Sequence, residues 1–268
     1  MGSGIAQAIS TAGLNVILID KSSDKLDAAL KSINSSLERL FAKQKISQSP
    51  DQILHRLSTS TDLSSLHSAD FVIEAVSEQE DLKQSIFNQL DTITPPHAIL
   101  ATNISSISIT RLASSTQRSD RIIGLHFMQP VPLMNLVEVI KGAATSKSTF
   151  STTIALTNHL GKRPCVSEDR PGFIVNRILM PMINEAFFAL QEGVAIAEDI
   201  DFAMKAGTNQ PMGPLELADF IGLDTCLAIM RVMHGGLGED KYRPCPLLVQ
   251  KVDAGWLGRK TKKGVYAY

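Results

Sequence analysis

Cysteine is scarce in this chain of 268 residues: there are three, Cys165, Cys226 and Cys245, odd in number and far apart. No CxxC pair exists, so neither a zinc site nor a disulfide framework is expected, and no metal is called for. A soluble, reducing compartment suits such thiols, with cytoplasm, mitochondrial matrix and peroxisome all left open. Charge of one sign is also lacking. The net charge of −1 leaves no electrostatic footprint for nucleic acid or an acidic membrane surface, although local basic groups can still meet an anionic ligand. No apolar run approaches the roughly 20 residues of a membrane span. The N-terminus lacks the basic region of a signal peptide, and the final residues, VYAY, carry no peroxisomal address. What remains, with 44% hydrophobic and 20% charged residues, is a globular composition of a size for one large domain or two smaller ones.

Short apolar runs at 15–19 (NVILI), 70–74 (DFVIE), 98–101 (AILA), 122–125 (IIGL) and 136–140 (LVEVI) read as strands. Helical periodicity fits between them at 24–45, 81–90 and 107–114. Strands alternating with helices imply βαβ units and a parallel sheet. Beyond about residue 167 strand-like runs become scarce. Helices are expected at 173–190, 199–205, 214–220 and 223–233, and a Gly- and Pro-rich loop at 235–246. The expected architecture is α/β: a Rossmann-type doubly wound parallel sheet over 1–167, then an all-α domain over 168–268.

The opening residues, MGSGIAQ, lead straight into a helix, and the strand that follows ends in Asp20. A dinucleotide site needs a strand, G-x-G-x-x-G, a helix, a second strand and then an acid. Gly2 takes the place of the third glycine, Gly4 follows in the first helical turn, and Asp20 is set to accept hydrogen bonds from the adenosine ribose. A carboxylate there repels a 2′-phosphate, which favours NAD over NADP. The first strand and the two earlier glycines of the fingerprint are not in the chain, so it is expected to begin partway through that motif. Taken alone, Gly2 and Gly4 read as merely opening an N-terminal helix, and it is the segments that follow that favour the dinucleotide site.

His126 follows a strand in GLHFMQPVP, the end of an open α/β sheet where chemistry is expected. Histidine exchanges protons near neutrality, and a carboxylate behind it fixes its tautomer. Glu138 lies inside the apolar run LVEVI, where an unpaired charge is expensive, so it needs a partner, and His126 is the obvious one.

These segments resemble the 3-hydroxyacyl-CoA dehydrogenase family over nearly the whole chain. ATNISS, GLHFMQPVPLMNLVEVI, DRPGFIVNRIL and QPMGPLELADFIGLD look like four of its motifs in their proper order. GEDKYRPCPLL and GWLGRKTKKGVY resemble the short, single-function 3-hydroxybutyryl-CoA dehydrogenases. The resemblance implies NAD-dependent interconversion of a (3S)-3-hydroxyacyl-CoA and a 3-oxoacyl-CoA in fatty-acid or butanoate metabolism, by a homodimer. It implies His126 as catalytic acid/base and Glu138 as the glutamate that orients it. Ser105 and Asn176 contact the substrate, and Ser105 also lies near the nicotinamide. Glu78, Lys83, Gln129 and Lys260 contact the cofactor, and Ser36 and Lys43 the coenzyme A moiety. Two departures stand out: Gln129 replaces the family's usual asparagine, and Lys262 replaces the usual glycine. His55, His67, His97, His159 and His234 lack any supporting pattern and read as surface or structural. The alternative from a different class is a weakly active or inactive homologue that binds acyl-CoA or dimerises, because part of the fingerprint is absent.

Overall fold

The computed structural model describes every residue except Ser106, the last residue of the ATNISS segment. The chain divides into two compact units, Met1–Asp169 and Arg170–Tyr268.

The first unit begins with helix α1 (Gly2–Thr11), strand β1 (Val16–Ile19) and the long helix α2 (Ser23–Ala42), whose N-terminus is capped by Ser22. A short helix α3 (Pro50–Leu54) and strand β2 (Leu57–Ser60) follow. Next come β3 (Phe71–Glu74), α4 (Glu80–Ile93), β4 (Ile99–Thr102), α5 (Ile109–Ala113), β5 (Ile122–Phe127), β6 (Leu136–Lys141), α6 (Lys147–His159) and β7 (Arg163–Glu168). β1 and β2 form a parallel pair, and β3 to β7 form a five-stranded sheet in sequence order. β3, β4 and β5 are parallel and read as buried apolar runs, as parallel strands covered on both faces do.

Two expectations are corrected here. The strands do not make one parallel sheet: β6 runs antiparallel to β5. The connection between them is a tight turn over residues 128–135, far shorter than the crossover of about a dozen residues that a parallel pair needs. β7 returns parallel to β6, because α6 supplies a full crossover. The core of this unit joins Ile5 of α1 to Ile99, Ala101, Ile123, Leu125, Val137 and Val139 of the sheet.

The second unit is helical: α7 (Val175–Gln191), α8 (Ala197–Thr208), α9 (Pro214–Ile221), α10 (Leu223–Leu237) and α11 (Pro246–Asp253). Its core gathers Met180, Ile183, Phe187, Leu215, Leu223, Leu227, Met230 and Leu248. The second correction concerns the loop expected at 235–246. α10 continues to Leu237 through Gly235 and Gly236, and a short 3-10 turn follows at Asp240–Tyr242. A Cβ on Gly236 would lie 2.8 Å from Pro171, so this glycine marks close packing rather than a chain break. Two buried aspartates pin the unit together. Asp201 accepts from the Leu215 and Glu216 amides and the Tyr266 hydroxyl, and Asp219 accepts from the Val265 and Tyr266 amides.

Candidate active site

The antiparallel register sets His126 directly opposite Glu138. Cross-strand partners project to the same face of a sheet, within reach of one another. Here His126 Nδ1 lies 2.6 Å from Glu138 Oε2. The Glu138 side chain is fully buried and the imidazole nearly so. The carboxylate thus has the partner that burial demands, and the hydrogen bond commits Nδ1 to the protonated state. Proton exchange with a substrate then falls to Nε2.

Three strand ends beside this pair carry a connected set of polar groups. At the end of β3, Glu74 accepts from Lys83 Nζ through both carboxylate oxygens, at 2.9 and 2.8 Å, and from Thr102 Oγ1 at 2.6 Å. Lys83 is fully buried, and its ammonium also lies 3.8 Å from Glu78. Glu78 in turn accepts from both the amide and the hydroxyl of Ser105, at 2.9 and 3.1 Å. Asn103, after β4, accepts from the Phe127 amide next to His126 and donates its own amide to the Glu74 carbonyl. Ser105, Glu78 and Lys83 are therefore brought together with the strand that bears His126. Lys83 stands behind Glu78 rather than on an open surface.

The other expected residues fall in several places. Gly2 and Gly4 open α1, whose N-terminus has no side-chain cap. A Cβ on Gly4 would sit 3.1 Å from Val131 in the turn after β5. Asp20, at the end of β1, accepts from the Ser22 amide. Gln129 is exposed and immediately precedes Pro130, across a cis peptide bond. Ser36 accepts from Gln7 Nε2 of α1, and Lys43 is exposed at the C-terminus of α2. Asn176 is buried in the first turn of α7 and Lys260 pairs with Asp224, both within the helical unit.

Glu74, Lys162 and Asp169 were not singled out from sequence. Glu74 obeys the rule that exposed Glu138, an acid within an apolar strand. Asp169 accepts from Ser108 Oγ and from the Ile109 and Thr110 amides, capping α5 just after the Ser105 segment. Lys162 donates to two carbonyl oxygens, and carbonyls leave no sequence signal.

A glycine-opened helix N-terminus without a side-chain cap, a carboxylate after the next strand and a histidine paired with a buried glutamate on β5 are the parts expected of a nucleotide-dependent oxidoreductase. The comparisons with known proteins carry this further. Residues 1–170 match the NAD binding domain of 3-hydroxyacyl-CoA dehydrogenase and residues 172–268 its C-terminal domain. The chain is 53% identical to a 3-hydroxybutyryl-CoA dehydrogenase of Bradyrhizobium diazoefficiens, covering 100% of this chain and 92% of the relative. It is 44% identical to the mitochondrial hydroxyacyl-coenzyme A dehydrogenase of Rattus norvegicus, over 100% of this chain and 88% of that one. The crystal structure of (S)-3-hydroxybutyryl-CoA dehydrogenase from Ralstonia eutropha superposes with a TM-score of 0.97 at 50% identity, covering 100% of this chain and 95% of that chain. The chain belongs to the 3-hydroxyacyl-CoA dehydrogenase family, is an oxidoreductase and uses NAD.

The residues present fit that cofactor. The amides of the first turn of α1 are not taken by a capping side chain, and they suit a pyrophosphate. Gly4 keeps that turn small where Val131 closes on it. Asp20 offers acceptor oxygens for ribose hydroxyls.

Proposed function

We propose that the chain oxidises short (3S)-3-hydroxyacyl-CoA thioesters, 3-hydroxybutyryl-CoA in the first place, through His126 acting as base on the C3 hydroxyl. The observation that carries this reading is the 2.6 Å hydrogen bond between His126 and the fully buried Glu138. Bound NAD supplies the hydride acceptor. His126 Nε2 takes the hydroxyl proton as C3 is oxidised, and returns it to the forming alkoxide in the reverse direction. Glu138 holds the imidazole in the required tautomer and stabilises the imidazolium that forms. Ser105, itself held by Glu78, and Asn176 bind oxygens of the substrate, while Ser36 and Lys43 meet the coenzyme A moiety. Gly2, Gly4, Asp20, Glu78, Gln129 and Lys260 serve the cofactor, with Lys83 supporting Glu78. The short-chain preference is supported by the substrates named for the relatives.

His126→Gln should abolish turnover of 3-hydroxybutyryl-CoA, followed by NADH absorbance, while circular dichroism stays native. Near-normal activity in that variant would overturn the assignment.

A homodimer built on the helical unit accompanies this reading. Ile178 of α7 is 69% exposed, Phe202 of α8 67%, and Val194 and Ile196 between them 72% and 61%. Apolar side chains this open, on a unit with a well-filled core, suit a self-complementary interface. Light scattering should give a dimer mass for the native chain and a monomer mass for Phe202→Glu.

A further inference from the structure

Lys162 is 8% exposed, yet among the described residues no carboxylate pairs with it. Its ammonium donates to the Val131 carbonyl at 2.6 Å and the Met134 carbonyl at 2.8 Å. Burial pulls its pKa below the ordinary lysine range, with no compensating acid. A buried charge solvated by two carbonyls is a poor way to gain stability, because the desolvation of the ammonium is only partly offset. A methionine would fill similar space without that cost.

The two carbonyls belong to the turn that joins β5 to β6. One end of this turn leads from His126 and the other leads to Glu138. Val131 is its one side chain buried in the core, while Leu133 is 64% and Met134 40% exposed, so the far half of the turn has little apolar anchorage of its own. Its internal bonds are the Leu133 and Met134 amides donating to the Pro130 carbonyl. Lys162 adds a fixed external point. It immediately precedes β7, where Arg163 is in register with Leu136 and Cys165 with Glu138. The Arg163 amide donates to the Asn135 carbonyl beside it. The same turn places Val131 against Gly4 in the first turn of α1. One ammonium therefore references the catalytic pair and the cofactor helix to the same sheet.

We propose that Lys162 is a positioning residue for the dehydrogenase reaction: by tying the β5–β6 turn through Val131 and Met134, it holds His126 in register with Glu138 and in place against the cofactor helix. This rests on the function proposed for His126, but it has a readout independent of turnover. The full chain is compared with Lys162→Met, which removes both hydrogen bonds, and Lys162→Gln, which is shorter and reaches at most one carbonyl. In the ligand-free protein, the downfield proton resonance of the His126–Glu138 hydrogen bond should broaden or move upfield in Lys162→Met, and less so in Lys162→Gln. With 3-hydroxybutyryl-CoA and NAD, kcat should fall about tenfold to a hundredfold in Lys162→Met, as misplacement of a catalytic group by a fraction of an ångström to an ångström does. KM should stay within about threefold, since the loss lies in the reacting geometry and not in uniform binding.

An unchanged resonance with unchanged kcat in a folded Lys162→Met, even with a lowered melting temperature, makes Lys162 a structural strut and overturns the proposal. If Lys162→Met fails to fold, Lys162→Gln decides by the same two readouts, and native values for both overturn it. A native chain that shows no turnover refutes the function assigned to His126, while the resonance still tests Lys162.

Discussion

Lys262 departs from the glycine that the family resemblance implies, and its backbone shows why that matters. It adopts φ +60°, in the left-handed region that a side chain enters only at a cost. The Tyr268 amide donates to its carbonyl, so the conformation is held by the tail that follows. Relief of that strain outweighs the added freedom of the unfolded chain. Lys262→Gly should therefore stabilise the protein by about 0.5–1 kcal/mol, read as a rise in melting temperature of about 1–4 °C. At this scale the sequence was legible where burial forced a partnership. Glu138 announced His126 because an acid in an apolar strand cannot stand alone. Glu74 obeys the same rule but sits at a strand end, where an acid passes for a boundary. Lys162 gave no signal, since its partners are backbone atoms that every residue carries.

Some elements spoke clearly and others not at all. β3, β4 and β5 are apolar runs, and α2 and α7 are long amphipathic helices, so periodicity found them. β2 is polar (LSTS), and β7 contains Pro164 and two charged ends. A proline is admissible there because β7 pairs only with β6 and lies at the sheet edge. α6 is rich in threonine, a weak helix former. Thr153 and Thr157 are buried because their hydroxyls donate back to the carbonyls four residues earlier, satisfying themselves within the helix. Other elements hold their place through a single buried acid. Asp219 fixes the C-terminal tail to α9 by two amide hydrogen bonds at 2.9 Å, and a Cβ on Gly264 would collide with it at 2.0 Å. Asp219→Ala leaves two amides without their acceptor and should destabilise the helical unit by about 2–4 kcal/mol, measured by urea denaturation. A loss below about 0.5 kcal/mol would show that the tail is held by its apolar contacts instead.

Across the whole molecule, the three cysteines report on the two units separately. Cys165 lies in β7 of the first unit and is partly exposed, while Cys226 and Cys245 are buried in the second. Burial, reinforced by the nearby carboxylates of Asp224 and Asp219, pushes the Cys226 thiol up to about 12, and burial also raises Cys245. The thiolate is the reactive form, so both are inert near pH 8 while the fold is intact. A chromogenic disulfide reagent should therefore titrate one thiol per native chain, and the other two only as the helical unit opens. Rapid reaction of all three in the native protein would contradict the packing of that unit. The change in texture near residue 167 revealed that a second, helical unit follows the first. The reversal of β6 stayed hidden, because a short run of apolar residues carries no information about strand direction.

That reversal has a kinetic consequence. His126 and Glu138 are 12 residues apart in the chain and meet across a hairpin. Every other strand pairing among the described residues is parallel and waits for a crossover to close. Local pairings cost less chain entropy and form sooner than distant ones. The His126–Glu138 pairing therefore asks for less chain closure than any of the parallel pairings around it, and the two side chains can meet across their hairpin before the more distant strands have docked.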